Sequence, residues 1–237
     1  MRELEIKKGG EYINSNKEWL EKAGPKSKEK QWKEKHSASE LADYCLFYKG
    51  FVPKDIDNYL NELHAGSEKF DGEPECKTSL EDDGFGSGGD RQHDLLMWNK
   101  EMVVGIEAKA TEDLDNYVIK KYKDPDTENH TLRYPGLCKR LLGKEISECS
   151  DIRYQLLSAT AGTLIEARNK KVKKAALIIV LFKSDITTTK HIDETKEDID
   201  NFVKCFDKKT NGSYIVKFMP EIDFYVKFIE VDINTYH

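Results

Sequence analysis

Three side chains suited to phosphate-ester chemistry lie close together in the sequence: Asp94, Glu107 and Lys109. Glu107 and Lys109 stand two residues apart in an apolar segment with the pattern of a β-strand. Side chains alternate faces along a strand, so these two point the same way while Ile106 and Ala108 point into the core. Two carboxylates beside an ammonium can hold a divalent metal and activate water. The spacing therefore predicts a metal-dependent hydrolytic site.

The tripeptide acid-x-Lys is common in so charged a chain, so its surroundings decide its meaning. Other copies occur at Glu5/Lys7, Glu75/Lys77, Glu194/Lys196 and Asp207/Lys209. Only the Glu107/Lys109 copy lies in an apolar strand pattern with a second acid on the preceding strand. A surface hairpin with an outward salt bridge would also place these residues together. The apolar run Val103 to Ile106 argues against that alternative, because buried charges need partners and a metal can be one.

The pattern of apolar residues predicts the elements that hold these side chains. Helical spacing is found over 37–48, after Pro53 as far as Gly66, and over 151–169 and 192–206. Strand patterns are found over 91–98, 102–110, 175–182, 214–218 and 224–233, and the short connection between the first two predicts a hairpin. The polar segments 67–89, with at most a short strand at 76–80, and 111–143 are predicted to be loops.

The order helix, strands, helix, strand predicts an α/β fold with a mixed central β-sheet flanked by helices, an αβββαβ core. The unbroken apolar run Leu177 to Leu181 is typical of a central strand covered on both faces. Residues 1–35 are expected to form a short helical or irregular lead-in, and residues 36–237 a single domain. The core of that domain would span about 37–183, with an α+β extension over 184–237 that continues the same sheet.

Composition excludes several classes of protein. Hydrophobic residues make up 38% of the chain and charged residues 35%, which indicates a polar globular protein. The longest apolar run, Ala175 to Phe182, is far too short to cross a bilayer. The first residues lack the apolar segment of a secretion signal, and the five cysteines include no C-x-x-C pair. We therefore expect a cytoplasmic protein with no membrane partner and no structural zinc.

Charge is unevenly distributed along the chain. The net charge of −6 weakens the expectation of tight, non-specific binding to nucleic acid. Basic segments nevertheless occur at Lys26 to Lys35, Lys120 to Lys123 and Arg168 to Lys174, and an acidic one at Asp193 to Asp200. Each basic segment can equally be a solvated helix face or loop. An acidic protein that holds a polyanion partly through metal ions is still physically reasonable.

The arrangement of Asp94 followed by Glu107-Ala108-Lys109 resembles the PD-(D/E)XK nuclease superfamily, the restriction-endonuclease-like proteins. The resemblance covers roughly residues 37–182, including the order helix, strand hairpin, helix, strand. His93 stands where the family motif has proline, which the chemistry does not need. The chain looks most like uncharacterised bacterial nuclease-like domains that carry three further stretches, here His36 to Ala42, Gly88 to Asp94 and Tyr154 to Leu156.

The resemblance implies roles by position. Asp94 and Glu107 would ligate Mg²⁺, with Mn²⁺ as a possible substitute, and the Ala108 carbonyl would assist. Lys109 would orient or help deprotonate the attacking water and then stabilise charge on the phosphate. The result would be in-line hydrolysis of a phosphodiester.

Residues outside the motif are further candidates. A polar helix residue often positions phosphate or the lysine in this superfamily, which implies that role for Gln155. Arg153 and Arg91 would contact substrate phosphate. An acid from the first helix often reaches the metal, which implies Glu40 as a ligand. Glu40 equally fits a capping box that opens at Ser37, and both interpretations stay open.

Two other features have a more ordinary interpretation beside the functional one. His93 would lie on the opposite strand face from Asp94, which favours a core or loop histidine over a catalyst. The loop Gly84 to Gly89 invites comparison with a phosphate-binding loop. It lacks a following Lys-Ser/Thr and leads into a strand, so a P-loop is excluded. A mobile turn or close backbone approach to substrate is what the loop predicts.

These observations favour a Mg²⁺-dependent DNA endonuclease, with nucleic acid as partner. Many enzymes of this type pair to cut both strands, so a homodimer is plausible. The alternative from another class is a nuclease-fold protein that binds nucleic acid or a protein partner without cutting. A weaker third interpretation is a metal-dependent enzyme for a smaller phosphate ester, because fold does not decide substrate.

Overall fold

A computed structural model describes residues 1–24, 32, 35–66, 69–124 and 132–236. Strands from all parts of the chain join in one mixed sheet, in the order β2-β1-β3-β4-β5-β6-β9-β8-β7. Their bounds are Leu4–Lys8, Glu11–Tyr12, Phe70–Thr78, Arg91–Trp98, Met102–Lys109, Lys174–Lys183, Asp207–Lys208, Tyr214–Ile215 and Asp223–Asp232, numbered β1 to β9 in chain order. The predicted α/β class with a mixed sheet flanked by helices is confirmed.

Seven α-helices among the described residues pack on this sheet. They span Asn16–Ala23, Ser37–Phe47, Lys54–Glu62, Val118–Lys123, Arg133–Leu137, Tyr154–Asn169 and Thr189–Val203, and are numbered α1 to α7. One turn of π-helix, Cys138–Leu142, follows α5, and short 3₁₀ helices span Ile146–Glu148 and Ile233–Thr235. None of the helices described in these ranges is both long and apolar enough to traverse a lipid bilayer.

The sheet separates two apolar cores. One core packs α1, α2 and α3 against Ile106, Ala108 and Ile178. The other packs α6, with parts of α5 and α7, against Val103, Leu177 and other residues of the opposite face. All eight residues of β5 are therefore buried, as are all of β6 except its terminal residues. Charged side chains on β5 consequently lie inside the protein.

Small residues let α6 approach the sheet closely. A Cβ atom on Gly105 of β5 would collide with the Thr163 hydroxyl on α6. A Cβ on Gly162 of α6 would come within 2.7 Å of Nε2 of His93. Glycine on both elements is thus required by the short distance between helix and sheet.

Three predictions of local structure are wrong in whole or in part. The described part of 1–35 contains a helix, α1, in line with the prediction, but also β1 and β2, which join the sheet, and β1 pairs in parallel with β3. The segment 67–89, predicted to be a loop, contains the nine-residue strand β3. The segment 111–143 contains α4, α5 and the π-helical turn, and its residues 125–131 lie outside the described residues, as does most of Lys26 to Lys35.

The last elements continue the sheet as expected. β9 pairs in parallel with β6 along its whole length, from Lys174 opposite Asp223 to Lys183 opposite Asp232. β8 pairs with β9 and β7 with β8, both antiparallel.

Candidate active site

The β4–β5 hairpin brings Asp94 to the Glu107-Ala108-Lys109 tripeptide. The two strands pair antiparallel, with Leu95 opposite Ile106. Next to this pair, Oδ2 of Asp94 accepts a hydrogen bond of 2.8 Å from the backbone N–H of Ala108. The structure thus brings together the acid, acid and lysine that the sequence places in two separate segments.

Glu107 is fully buried and has two cationic or polar partners. Its carboxylate forms an ion pair with the guanidinium of Arg91 and accepts a hydrogen bond from Nε2 of Gln155. Gln155 lies in the first turn of α6, which the small residues of that helix hold against β5. The structure therefore places Gln155 and Arg91, both predicted site residues, directly on the candidate metal ligand.

Lys109 is 6% exposed, and burial lowers the pKa of its ammonium. The charges of Asp94 and Glu112 oppose this shift, while nearby Arg91 adds to it. Glu112 accepts a hydrogen bond of 3.0 Å from the amide of Thr111. Burial alone would raise the pKa of Glu112. A hydrogen bond from Ser37, the Thr111 amide and the charge of Lys109 together outweigh burial, so the pKa of Glu112 is lowered. A carboxylate that the sequence did not suggest thus lies beside the lysine.

Glu75 is a second site residue that sequence reasoning missed. It lies on β3, accepts a hydrogen bond from Gln92, and has a left-handed backbone with φ of +50°. Burial and the charge of Asp94 raise the pKa of Glu75 to about 8. Strained backbone and a shifted pKa are frequent at functional sites. The indication of Glu75 in the sequence was an acidic residue directly after Pro74, and it lay in a segment predicted to be a loop.

Glu40 is buried near the start of α2. Its side chain is 1% exposed and takes part in the core on the α2 face of the sheet. One carboxylate oxygen accepts a hydrogen bond of 2.7 Å from the Lys35 amide. The other accepts a hydrogen bond of 2.7 Å from the hydroxyl of Tyr236. Ser37 is the first residue of the helix, and the N-cap residue is His36, whose side chain makes no capping hydrogen bond. The predicted capping box, with Ser37 as the N-cap, is therefore not formed. The capping-box interpretation is therefore wrong, whereas the role of Glu40 as a metal ligand stays a prediction.

Arg153 is held by protein groups. Its Nε forms an ion pair of 2.7 Å with Asp198 of α7, and Nη1 donates 2.8 Å to the carbonyl of Asp115. The guanidinium also stacks on Tyr117 at 4.1 Å from the ring centre. These contacts fix α7 and the 115–117 segment beside α6, and the predicted phosphate contact of Arg153 stays a prediction.

His93 is fully buried between β4 and α6. Burial, with a smaller contribution from Arg91, lowers the pKa of His93 well below its ordinary value, so the ring is neutral. The prediction that His93 is a core histidine is confirmed.

The glycine-rich loop before β4 is anchored by arginines. Nη1 of Arg133 donates 2.6 Å to the carbonyl of Gly89, and Nη2 donates 2.8 Å to that of Gly86. Arg140 donates to the carbonyl of Asp83. Arg133 is itself fully buried, so the loop predicted to be a mobile turn is tied to α5.

The site offers oxygen donors of the kind that bind a divalent metal, but not a complete set of side-chain ligands among the described residues. Among residues 1–24, 32, 35–66, 69–124 and 132–236, no group of three His, Cys, Asp or Glu side chains could hold one. The carboxylates of Asp94 and Glu107 and the Ala108 carbonyl are nevertheless the hard oxygen donors that Mg²⁺ prefers. Arg91 already neutralises Glu107. The residues therefore fit Mg²⁺ in chemical type, on condition that Arg91 gives up its contact with Glu107.

Comparison with known proteins adds one family. A family model described as Domain of unknown function (DUF6946) matches residues 12–233, nearly the whole chain. No curated protein and no solved structure matches the chain significantly.

Proposed function

The chain belongs to the DUF6946 family, whose function is unknown, and we propose from its geometry that it is a metal-dependent phosphodiester hydrolase, a nuclease acting on DNA. The observation that carries this proposal is the 2.8 Å hydrogen bond between Asp94 and the Ala108 amide. It holds the aspartate against the tripeptide that supplies the second acid and the lysine. A mere surface salt bridge would not require Glu107 and Lys109 to be buried.

The order of elements supports the restriction-endonuclease-like form of this proposal. With α3, α4 and α5 left aside, helix α2 is followed by β3, β4 and β5, then by α6 and β6, which is the order αβββαβ. β6 pairs in parallel with β5, and Glu107 lies opposite Ile179. The candidate acids thus occupy the two middle strands of that unit, under the helix that carries Gln155.

Each residue has a task that its surroundings allow. Asp94 and Glu107, with the Ala108 carbonyl, would hold Mg²⁺ or Mn²⁺. When bound, the ion would supply an activated water and neutralise the leaving oxygen. Lys109, buried beside Asp94, would orient the attacking water and then face the charge that develops on the phosphate. Gln155 would orient Glu107 through its hydrogen bond.

One observation favours the alternative of a nuclease-fold protein that binds without cutting. Arg91 neutralises Glu107, and within the described ranges no three-ligand group is formed. In this arrangement the guanidinium of Arg91 already balances the charge of Glu107, so the site needs no metal. The two functions therefore differ in whether a divalent cation displaces Arg91.

Cleavage assays separate the two. Plasmid, linear and single-stranded DNA would be incubated with Mg²⁺ or Mn²⁺ and wild type, Lys109→Ala or Asp94→Ala. Lys196→Ala is the matched control, since Lys196 ends an acid-x-Lys tripeptide on α7, remote in sequence from the hairpin. We expect cleavage that EDTA abolishes, that both site variants lose and that the control keeps.

No cleavage of any substrate, together with no heat of Mn²⁺ binding in calorimetry, would remove the catalytic proposal. Retained binding of DNA in a gel shift under those conditions would then establish the alternative.

A further inference from the structure

Two of the basic segments of the sequence lie within the described residues, and their cations differ in what they contact. In the segment Arg168 to Lys174, Arg168 forms an ion pair with Asp83. Nζ of Lys170 lies 3.7 Å from the centre of the Trp98 ring. The last lysine of the segment donates hydrogen bonds to the two backbone carbonyls that follow α3. These three cations therefore serve contacts within the protein.

The other described basic segment forms α4. Lys121 is paired with Asp115 at 2.9 Å. Within the described part of the chain, Lys120 and Lys123 form no ion pair, and both are exposed. They stand three residues apart and therefore lie on the same side of the helix. Tyr122, which is 40% exposed, lies between them in the sequence. This helix thus presents two cations and an aromatic ring to the solvent.

The start of α4 is fixed beside the candidate site. Two backbone hydrogen bonds, of 2.8 and 3.1 Å, join residues 116–118 to residues 152–154. Nζ of Lys121 lies 5.0 Å from the centre of the Tyr154 ring. The next residue is Gln155, which donates to the candidate metal ligand. The exposed lysines of α4 therefore belong to an element that is anchored at the entrance to α6, next to the site.

We propose that α4 binds one strand of a nucleic acid beside the candidate site, with Lys120 and Lys123 on its phosphates and Tyr122 against a base. Lysines that contact phosphates release counterions, and an exposed ring stacks on any unpaired base. Bases in a duplex already stack on one another, so the exposed tyrosine favours a single strand. The inference rests on the proposed function, because it names the form of substrate that the same site would receive.

Charge supports this choice of partner. The net charge of −6 repels a polyanion over the molecule as a whole. A local surface with two exposed lysines and no carboxylate paired to either of them is therefore where a strand gains most from contact with this chain.

The test measures binding without cleavage. A short fluorescein-labelled DNA single strand of mixed sequence would be titrated with the full chain in EDTA, and its anisotropy recorded at several salt concentrations. Lys120→Ala/Lys123→Ala should weaken binding about tenfold at low salt and reduce the slope of log affinity against log salt by about 1.4, the value for two phosphates of a single strand. Tyr122→Ala should weaken binding about fivefold or more, whereas Tyr122→Phe, which keeps the ring, should bind like wild type.

Lys173→Ala/Lys208→Ala is the matched control, because it removes the same charge from two exposed positions. Lys173 precedes β6, whose parallel pairing with β5 places it at the opposite end of the sheet from Glu107. Lys208 lies on the outermost strand β7. The control should keep the affinity and the salt slope of wild type.

Several results would overturn the inference. They are a wild-type affinity and salt slope in Lys120→Ala/Lys123→Ala, equal binding by Tyr122→Ala and Tyr122→Phe, and tighter binding of a duplex of the same sequence. Polyglutamate that competes as well as the unlabelled strand would indicate an acidic protein as partner instead.

Failure of this inference and failure of the proposed function are distinguishable. A wild-type protein that binds the strand through α4 but cuts no DNA removes the proposed function and supports the inference. Metal-dependent cleavage, with binding that the α4 variants leave unchanged, does the reverse.

Discussion

Arg91 and Glu107 form an ion pair inside the protein, with 11% and 0% of their side chains exposed. Arg91 begins β4 and Glu107 lies near the end of β5, so the pair closes the open end of the hairpin that carries the candidate site. Removing one member of a buried pair leaves an uncompensated charge. This relationship makes Arg91 the residue that competes with any cation for Glu107.

Arg91→Met should lower the free energy of unfolding by about 3–5 kcal/mol, because the Glu107 carboxylate loses its charge partner. The double variant Arg91→Met/Glu107→Gln should recover most of that loss, since neither charge then remains. Urea denaturation measures both changes. Arg168→Met is the control, since the arginine of its ion pair with Asp83 is 46% exposed, and the variant should change stability by less than about 1 kcal/mol.

The same variant tests metal binding. If Glu107 is a ligand, Arg91→Met should bind Mn²⁺ more tightly than wild type, because the cation no longer has to displace a guanidinium. Calorimetry measures the affinity. Equal or weaker binding by Arg91→Met would show that Glu107 is not part of a metal site.

Gln155 holds Glu107 from the helix side, and its replacement should act through that carboxylate. Gln155→Ala should reduce Mn²⁺ affinity and DNA cleavage by about 10–100-fold, as for other residues that orient a ligand. Gln155→Leu, which keeps the approximate size of the side chain without its N–H donor, should lose as much.

A metal titration of the cleavage rate separates loss of affinity from loss of turnover in these variants. Asn169→Ala, at the far end of the same helix, is the matched control. The orienting role fails if Gln155→Ala titrates with Mn²⁺ like wild type.

His93 should make the protein sensitive to mild acid. Its pKa is lowered in the folded state, so the unfolded chain takes up a proton that the folded protein does not. The stability that this histidine contributes is present above about pH 6.5 and is lost as the pH falls, at up to about 1.4 kcal/mol per pH unit.

His93→Leu should therefore flatten the dependence of unfolding free energy on pH between about 5 and 6.5. Parallel urea denaturation of wild type and variant measures the difference in slope. His64→Asn is the control, because His64 is exposed and has the left-handed backbone that asparagine tolerates. Identical slopes for wild type and His93→Leu would contradict a neutral buried ring.

Arg133 should be needed for the order of the glycine-rich loop. Its two hydrogen bonds reach Gly86 and Gly89, just before the strand of Asp94. Arg133→Met should cost about 2–4 kcal/mol, since the loop loses two hydrogen bonds from a buried guanidinium. Limited proteolysis should cut the variant within 82–90 sooner than wild type. Lys139→Met, at an exposed position nearby, should leave the digestion pattern unchanged.

Local sequence patterns predicted the centre of the fold well. The strand predicted over 91–98 is β4, that over 102–110 ends one residue early, and that over 175–182 is extended by one residue at each end. Helix α6 was predicted over 151–169 and begins at Tyr154. These elements carry long apolar runs or clear helical spacing, and their burial on both faces agrees with that composition.

The same patterns failed for β3, an inner strand of the sheet whose residue types are not typical of a strand. The strand β3 contains Gly72 and Pro74, which are poor strand formers, yet β1 and β4 pair with it on both sides. Its order comes from those neighbours rather than from its own residues. Glu75 was missed for this reason, since its approach to Asp94 exists only once β3 lies beside β4.

The sequence by itself determined the hairpin, its alternation and hence the meeting of Asp94 with Glu107 and Lys109, because these depend on contacts between neighbouring segments. Only the tertiary structure decided the partners of each side chain. Glu40 bonds Tyr236 across 196 residues, and Gln155 reaches Glu107 across 48. Such contacts follow from how helices and sheet pack, and packing is a property of the whole chain that no local period encodes.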